Sequence, residues 1–194
     1  MKTNKKIWLT LFLLLPFITS CVPLVAIGVG AGASTGAVMS EDRRTSGIFI
    51  EDESIELKSA RRINQQLGKD VHINVTSFNR NVLLTGEAPN EEAIKQIKKL
   101  VMSVDNVRNI INEISVSEKS SLASRSNDTL ITSKVKTRFI GATGFQINHI
   151  KIVTENKVVY LMGLVKRNEA DKAAEIASST PGVVKVIRVF EYLN

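Results

Sequence analysis

An internal repeat with an offset of about 77 residues constrains the fold of this 194-residue chain more than any other feature. The segment His-Ile-Asn-Val at 72–75 aligns with His-Ile-Lys-Ile at 149–152, and Val-Leu-Leu-Thr-Gly at 82–86 aligns with Val-Tyr-Leu-Met-Gly at 159–163. Towards the end of each copy the offset becomes 76, which indicates one deletion before the last strand of the second copy. Two homologous modules are the simplest explanation.

Each copy carries the same order of secondary-structure signals. Apolar residues at helical spacing open each copy, two short β-rich runs with a polar turn follow, and a second helix precedes a closing strand at 107–116 or 183–192. The predicted fold is α+β: two tandem αββαβ modules, each a three-stranded sheet covered on one face by two helices. The helical stripes are Ile55, Ser59, Ile63 and Leu67 in the first copy, and Ile131, Val135 and Phe139 in the second.

Single residues are predicted to mark the ends of these elements. Gly86 and Gly163 are predicted structural glycines, at which the chain turns sharply after each hairpin. Asp128 is placed to cap the first helix of the second copy. Asn90 and Asn168 are placed to cap the second helix of each copy, which is expected to end near a serine.

The N-terminal segment has the three-part layout of an export signal. Three lysines precede an apolar run at 7–18, and Thr19 and Ser20 stand before Cys21. This run is too short to cross roughly 30 Å of hydrocarbon, so cleavage is expected rather than permanent anchoring. The sequence Ile-Thr-Ser-Cys at 18–21 resembles a lipobox, which predicts cleavage before Cys21 and acylation of its thiol; the alternative is a buried free cysteine.

The cysteine count and the composition of the remaining segments indicate how the chain is divided into domains and linkers. Because Cys21 is the single cysteine, no disulfide can form within one chain; the fold must hold by its core alone, and each small module is expected to gain stability from its neighbour or the membrane. Val22 after the cysteine, in place of Asp, favours the outer membrane. The predicted divisions are the signal peptide at 1–20, the acylated cysteine and a flexible tether at 21–53, the first module at 54–116, a serine-rich linker at 117–126 and the second module at 127–194.

Together these motifs resemble the BON domain family. The marks are the αββαβ order, the glycine after the second strand, and a closing strand that follows Gly-Val at 182–183 or its variant Asn-Val at 106–107. The resemblance covers nearly the whole chain after Cys21. Two such copies behind a lipobox look like the outer-membrane lipoproteins of this family, some of which carry a haemolysin label.

The resemblance implies a lipid-anchored outer-membrane protein that faces the periplasm. It implies binding of anionic phospholipid through the second module, support of outer-membrane integrity, and a concentration at division sites. The implied lipid contact centres on the first helix of the second module. Relatives often have Trp where this chain has Leu130, and Trp suits a membrane interface better. The expected phospholipid-binding residues are Leu130, Ile131, Lys134, Lys136 and Ile140.

The charge distribution agrees with that expectation. Residues 54–116 contain nine basic and seven acidic side chains, a formal charge of +2, whereas residues 127–194 contain ten and six, or +4. A helix with apolar residues beside several cations can lie on an anionic membrane, and each cation near the surface contributes about 1 kcal/mol. The alternative from the residues alone is an ordinary core helix with a solvated basic face.

Neither an enzyme, a metal site nor a cofactor is predicted. His72 and His149 occupy equivalent positions at strand starts, which raises the alternatives of a duplicated pH sensor or a metal ligand. They have no nucleophile partner by motif and no nearby Cys, His or acidic cluster in the sequence, so a structural role is predicted for both. The basic residues lack the interleaved aromatics of a nucleic-acid platform, so no nucleic acid is expected.

The alternative to lipid binding is an interaction scaffold. An exposed sheet edge, or the closing strand at 183–192, would then pair with an envelope assembly or division protein, or with a regulator of peptidoglycan hydrolases.

Overall fold

The computed structural model describes residues 42–194, which lie in one compact unit. The signal peptide, Cys21 and most of the tether lie outside the described residues. Among residues 42–194, no helix combines the length and apolar character needed to cross a membrane.

Both modules have the predicted α+β order and the same sheet topology. In each sheet the first two strands pair antiparallel, and the second and third pair parallel. The first module contains α1 (Ser46–Leu67), β1 (His72–Phe78), β2 (Asn81–Ala88), α2 (Glu91–Met102) and β3 (Asn109–Val116). The second contains α3 (Leu122–Ile140), β4 (Ile150–Glu155), β5 (Val158–Val165), α4 (Arg167–Ser178) and β6 (Lys185–Tyr192).

The central strand of each sheet is buried on both faces. In β2, Val82 and Leu84 point into the core formed with the two helices, while Leu83 points to the other face. In β5, Val159 and Leu161 face the helices in the same way. Because side chains alternate along a strand, a strand covered on both faces has apolar residues at successive positions, as at 82–84 in β2 and over most of β5.

The faces of the two sheets that carry no helices contribute to a shared cluster. Its buried members are Phe78 and Leu83 from the first module and Tyr160 and Met162 from the second. The hydroxyl of Tyr160 lies 3.4 Å from a carboxylate oxygen of Glu113. Burial, together with the charge of this carboxylate, raises the pKa of Tyr160 to about 12.

Both opening helices begin earlier than the sequence analysis predicted. The Thr45 hydroxyl accepts a hydrogen bond from the Ile48 amide at 3.3 Å, so residues 46–53 belong to α1 and not to the tether. Ser121 caps α3 by accepting from the Ser124 amide at 3.1 Å, so half of the predicted linker is helical. The prediction of Asp128 as the N-cap is therefore wrong, because serine and threonine here start helices instead of breaking them.

The second helices begin differently from each other. The Asn90 side chain accepts from the Ala93 amide at 2.9 Å, which confirms it as the cap of α2. The prediction for Asn168 is wrong, because α4 begins at Arg167 and the Glu169 carboxylate accepts from the Lys166 amide at 2.7 Å. Both helices end next to a serine, as predicted.

Gly86 and Gly163 lie inside β2 and β5 and not at sharp turns. A Cβ atom on Gly86 would lie 2.0 Å from the carbonyl oxygen of His72, and one on Gly163 would lie 2.4 Å from that of His149. Gly86 also has φ +113°, a region that other residues rarely adopt. The predicted structural role therefore has a different cause, which is the close approach of the neighbouring strand.

Candidate functional site: the outward face of the third helix

The predicted lipid-binding residues of α3 do not share one environment. Leu130 and Ile140 are 60% and 72% exposed, and Lys134 and Lys136 are exposed as well. Ile131 is only 1% exposed and belongs to the core of the second module. Its assignment to the lipid contact is corrected, because it lies in the buried i, i+4 stripe.

Each exposed apolar residue of this set has a lysine one helical turn away. Leu130 precedes Lys134 by four residues, and Lys136 precedes Ile140 by four. Residues four apart on a helix are neighbours on its surface, so the set forms two lysine–apolar pairs. A third large apolar side chain, Leu122, is also exposed at the start of α3. We call Leu130, Lys134, Lys136 and Ile140 the α3 surface.

The residues around these pairs are small and internally hydrogen-bonded. The hydroxyls of Thr129, Ser133 and Thr137 donate to the carbonyl oxygens four residues earlier, at 2.9–3.0 Å. A donor that already has a partner loses less when water is removed from it. The α3 surface can therefore approach a water-poor interface without leaving these hydroxyl donors unpaired.

Two polar contacts fix which face of α3 points outward. The buried carboxylate of Asp128 accepts from the turn amides of Asn156 and Lys157 at 3.0 and 2.8 Å. The Thr132 hydroxyl donates to the Thr154 hydroxyl at 2.7 Å. These contacts join α3 to the β4–β5 hairpin, so Leu130 and Lys134 are held on the opposite side.

The cations of α3 differ in their surroundings. The Arg138 guanidinium donates to the Ile176 carbonyl at 3.1 Å and to the Thr180 hydroxyl at 2.9 Å, so it is engaged with the end of α4. Lys136 lines a cavity of about 390 Å³ that is also lined by Asp42 and Glu53 of the first module. Lys134 is therefore the more outward of the two lysines in the α3 surface.

The equivalent helix of the first module has a different charge. Over Ser46–Leu67, α1 contains three basic and four acidic residues, a formal charge of −1. Over Leu122–Ile140, α3 contains four basic residues and one acid, which is the buried Asp128, so its formal charge is +3. Leu57 of α1 is 62% exposed, so apolar exposure alone does not distinguish the two helices.

Two arginines precede α1, in a segment that the sequence pattern assigned to the tether: Arg43 contacts the second module, whereas Arg44 contacts the first. Arg43 donates to both carboxylate oxygens of Glu169, each at 2.7 Å, and these hydrogen bonds lower the pKa of Glu169 to about 2. Arg44 binds Asp52 at 2.8 Å and lies over the Phe78 ring at 4.0 Å. Burial lowers the pKa of Arg44, but the neighbouring carboxylates more than offset this and raise it.

The surroundings of His72 also differ from the prediction. One ring nitrogen of His72 and one carboxylate oxygen each of Glu87 and Glu155 lie within 4.8 Å of one another. Burial raises the pKa of Glu155, while the hydrogen bond from Asn74 acts in the opposite direction. The prediction that His72 has no acidic cluster nearby is wrong, because these carboxylates come from another strand and from the other module and are not adjacent to His72 in the sequence.

One signal for this cluster was present in the repeat. At the offset of 77 residues, Glu87 corresponds to Leu164, and Glu155 corresponds to Phe78. The other copy fills each of these positions with an apolar residue, so the packing of the fold does not require a carboxylate there. The two glutamates therefore indicate a role other than packing.

Comparison with known proteins identifies the family of this chain. The BON domain family matches residues 52–118 and 127–194. The chain is 36% identical over 180 residues to the outer membrane lipoprotein DolP of Haemophilus influenzae, covering 92% of this chain and 91% of that protein. It is 35% identical over 155 residues to the 21 kDa hemolysin of Actinobacillus pleuropneumoniae, covering 79% and 80%. It is 25% identical over 157 residues to the osmotically-inducible protein Y of Escherichia coli, covering 79% and 78%.

Proposed function

Because this protein belongs to the BON domain family, we propose that it is an outer-membrane lipoprotein that binds anionic phospholipid through its second module. In this proposal acylated Cys21 anchors the chain, the modules face the periplasm, and the protein supports outer-membrane integrity, including at division sites. The similarity to a protein named as an outer membrane lipoprotein, over 92% of the chain, supports the location. Its role is binding and not catalysis.

The composition of the α3 surface is the main support for the proposed lipid binding. It combines two exposed lysines with two large exposed apolar side chains. Near an anionic membrane each lysine contributes about 1 kcal/mol, which for two lysines is roughly a 30-fold gain in binding. Burial of Leu130 and Ile140 at the interface adds an apolar contribution of about 1–2 kcal/mol each.

A contact of this strength binds the membrane only weakly by itself, but together with a lipid anchor it is sufficient for stable membrane binding. A single membrane signal gives marginal, reversible binding, whereas two signals together give stable residence. Acylated Cys21 keeps the second module near the bilayer, so the α3 surface binds at a high effective concentration. The proposed role of α3 is therefore to select anionic head groups and to orient the modules.

Vesicle co-sedimentation tests this proposal. A soluble form that begins at residue 41 should bind vesicles containing phosphatidylglycerol, bind phosphatidylcholine vesicles much less, and dissociate as salt is raised. The double variant Leu130→Glu, Lys136→Glu should lose binding. Leu130→Trp should bind more tightly than the natural chain, because Trp favours the interface. Equal binding to both vesicle types, or none, contradicts the proposal.

A protein-interaction scaffold is the second candidate. Strand β6 is at one end of the order β4-β5-β6, so one of its edges has no strand partner among residues 42–194. Val184 beside it is 74% exposed, and Tyr192 is also exposed. A free strand edge can pair with an extended segment of another protein. Loss of a co-purified envelope protein on Val189→Pro, with vesicle binding unchanged, favours this candidate.

A further inference from the structure

The cluster of His72, Glu87 and Glu155 is built from both modules. His72 stands opposite Glu87 in the pairing of β1 with β2, so their side chains project from the same face of the first sheet. Glu155 ends β4 of the second module. Hydrogen bonds from the first module to Glu155, at 2.7 Å from Asn74 and 3.3 Å from Thr85, hold it beside this pair.

The two carboxylates are buried, and neither forms an ion pair with a lysine or arginine among residues 42–194. Glu87 and Glu155 are 1% and 5% exposed. Their hydrogen-bond donors are all neutral. Glu155 accepts from the side chains of Asn74 and Thr85. Glu87 accepts from the side chains of Ser120 and Asn156 and from the Ser120 backbone amide. Buried carboxylates without a counter-charge are costly, and paired or metal-bound ones are the rule.

His72 provides an independent observation that points to a ligand. Its Nε2 atom is buried and has no hydrogen-bond partner among the described residues. A buried, unpartnered polar atom costs about 1–3 kcal/mol unless something binds it. An imidazole nitrogen beside two carboxylate oxygens is a ligand set that suits a divalent transition metal.

We propose that His72, Glu87 and Glu155 bind one divalent transition-metal ion, such as Zn²⁺, which joins the two modules. The +2 charge of the ion balances the −2 charge of the two ionised carboxylates. Three protein ligands leave a fourth position for water, as in open zinc sites. This inference does not depend on the proposed lipid function.

The distances require a small closure of the cluster. The three ligand atoms lie within 4.8 Å of one another, so an ion at their centre is at most about 2.8 Å from each, compared with roughly 2.0–2.2 Å in zinc sites. In this proposal the side chains rotate to close this difference when the ion binds. Asn156 and Ser120 orient Glu87, while Asn74 and Thr85 orient Glu155, as outer ligands do in metal sites.

An access route is present beside the cluster. A cavity of about 220 Å³ is lined by His72 and Glu155 and by threonines of α3 and β4. It has room for an ion and its remaining water. Within residues 42–194 the second copy has no equivalent cluster around His149, because Leu164 and Phe78 stand where the two glutamates would be.

Thermal unfolding with and without metal tests the proposal. The full-length chain, without a histidine tag and stripped with a chelator in detergent, is heated in Zn²⁺, in Mg²⁺ and in chelator. At 100 times the dissociation constant, Zn²⁺ should raise the unfolding midpoint by roughly 5–10 °C. Mg²⁺ should raise it far less, because an imidazole ligand suits Mg²⁺ poorly. Metal analysis should give one zinc per chain.

Matched variants identify the ligands. His72→Asn and Glu155→Gln should lose the Zn²⁺-dependent rise, whereas His149→Asn, at the equivalent position of the other module, should keep it. Glu155→Gln keeps an oxygen to accept from Asn74 and Thr85, so it should fold and its midpoint in chelator serves as the folding control. The proposal is overturned if Zn²⁺ has no effect on the natural chain, if Mg²⁺ matches it, or if Glu155→Gln responds equally.

Discussion

The opening helices α1 and α3 occupy the same place in two copies of one fold, but they present different surfaces. Each buries one face in its module and holds a β-hairpin through a buried aspartate, Asp52 or Asp128. Their formal charges are −1 and +3. The buried face and the aspartate are shared because both modules have the same fold. The difference in charge is not required by the fold, so it indicates a separate function of the second module.

The hairpin turns of the two modules have the same backbone conformation and the same contacts with an aspartate. Asn79 and Arg80 in one turn, and Asn156 and Lys157 in the other, all have positive φ, between 48° and 64°. Turns of this type match the twist of the strands but are strained for residues other than glycine. In each module the aspartate accepts from both turn amides, which compensates for this strain.

The largest expected difference between the modules is at the strand glycines. Gly86→Ala should lower the free energy of unfolding by about 4 kcal/mol, because it adds both a backbone clash and strain at φ +113°. Gly163→Ala adds a clash without a positive φ and should cost about 2 kcal/mol. Urea unfolding monitored by circular dichroism measures both. An equal or reversed order contradicts this account of the two glycines.

A smaller difference is expected at the aspartates. Asp52→Ala leaves two turn amides and the Ser77 hydroxyl without their acceptor and leaves Arg44 paired with Asp42 alone, so it should cost about 3–4 kcal/mol. Asp128→Ala leaves only two turn amides and should cost about 2 kcal/mol. The same urea experiment applies, and a larger loss for Asp128→Ala is the contradicting outcome.

The smallest expected difference depends on pH. The pKa of Glu169 is about 2, below its ordinary value of 4.5, so its ionised form stabilises the fold above about pH 4.5. That contribution is lost as the pH falls towards 2. The difference in unfolding free energy between the natural chain and Glu169→Gln should therefore shrink between pH 5 and pH 2.

The first module provides the control for that measurement. Glu92 corresponds to Glu169, but its side chain is 82% exposed, with a lysine 3.7 Å away. Exposed pairs of this kind contribute little, so Glu92→Gln should leave stability nearly unchanged at every pH. A pH-independent difference for Glu169→Gln would show that the contact with Arg43 does not act through ionisation.

The order of elements was predictable because it depends on local patterns. Apolar spacing of four residues gave the helices, and the repeat reinforced each assignment with a second copy. The helix starts were predicted too late, because Ser121 and Thr45 read equally well as loop residues. A serine indicates a cap only when the residues after it continue a helix, and α3 has no apolar stripe in its first turn.

The relation between the modules was not predictable from the same patterns. Tyr160 and Met162 fit a strand whether their face contacts solvent, membrane or a second sheet. The clusters that join the modules, such as Arg43 with Glu169 or Asn74 with Glu155, bring together residues more than 80 positions apart. Of the predicted α3 residues, the exposed four fit the proposal, and Ile131 was included because the resemblance did not separate inner from outer faces.

The most direct test compares matched charge reversals in the two helices. Leu130→Glu with Lys134→Glu, and Leu57→Glu with Lys58→Glu, change exposed positions in α3 and α1 by the same formal charge of −3. On vesicles containing phosphatidylglycerol, the first pair should lower the partition coefficient at least tenfold, and the second by less than twofold. Equal losses from both pairs would mean that binding follows net charge alone, and would contradict a lipid site in the second module.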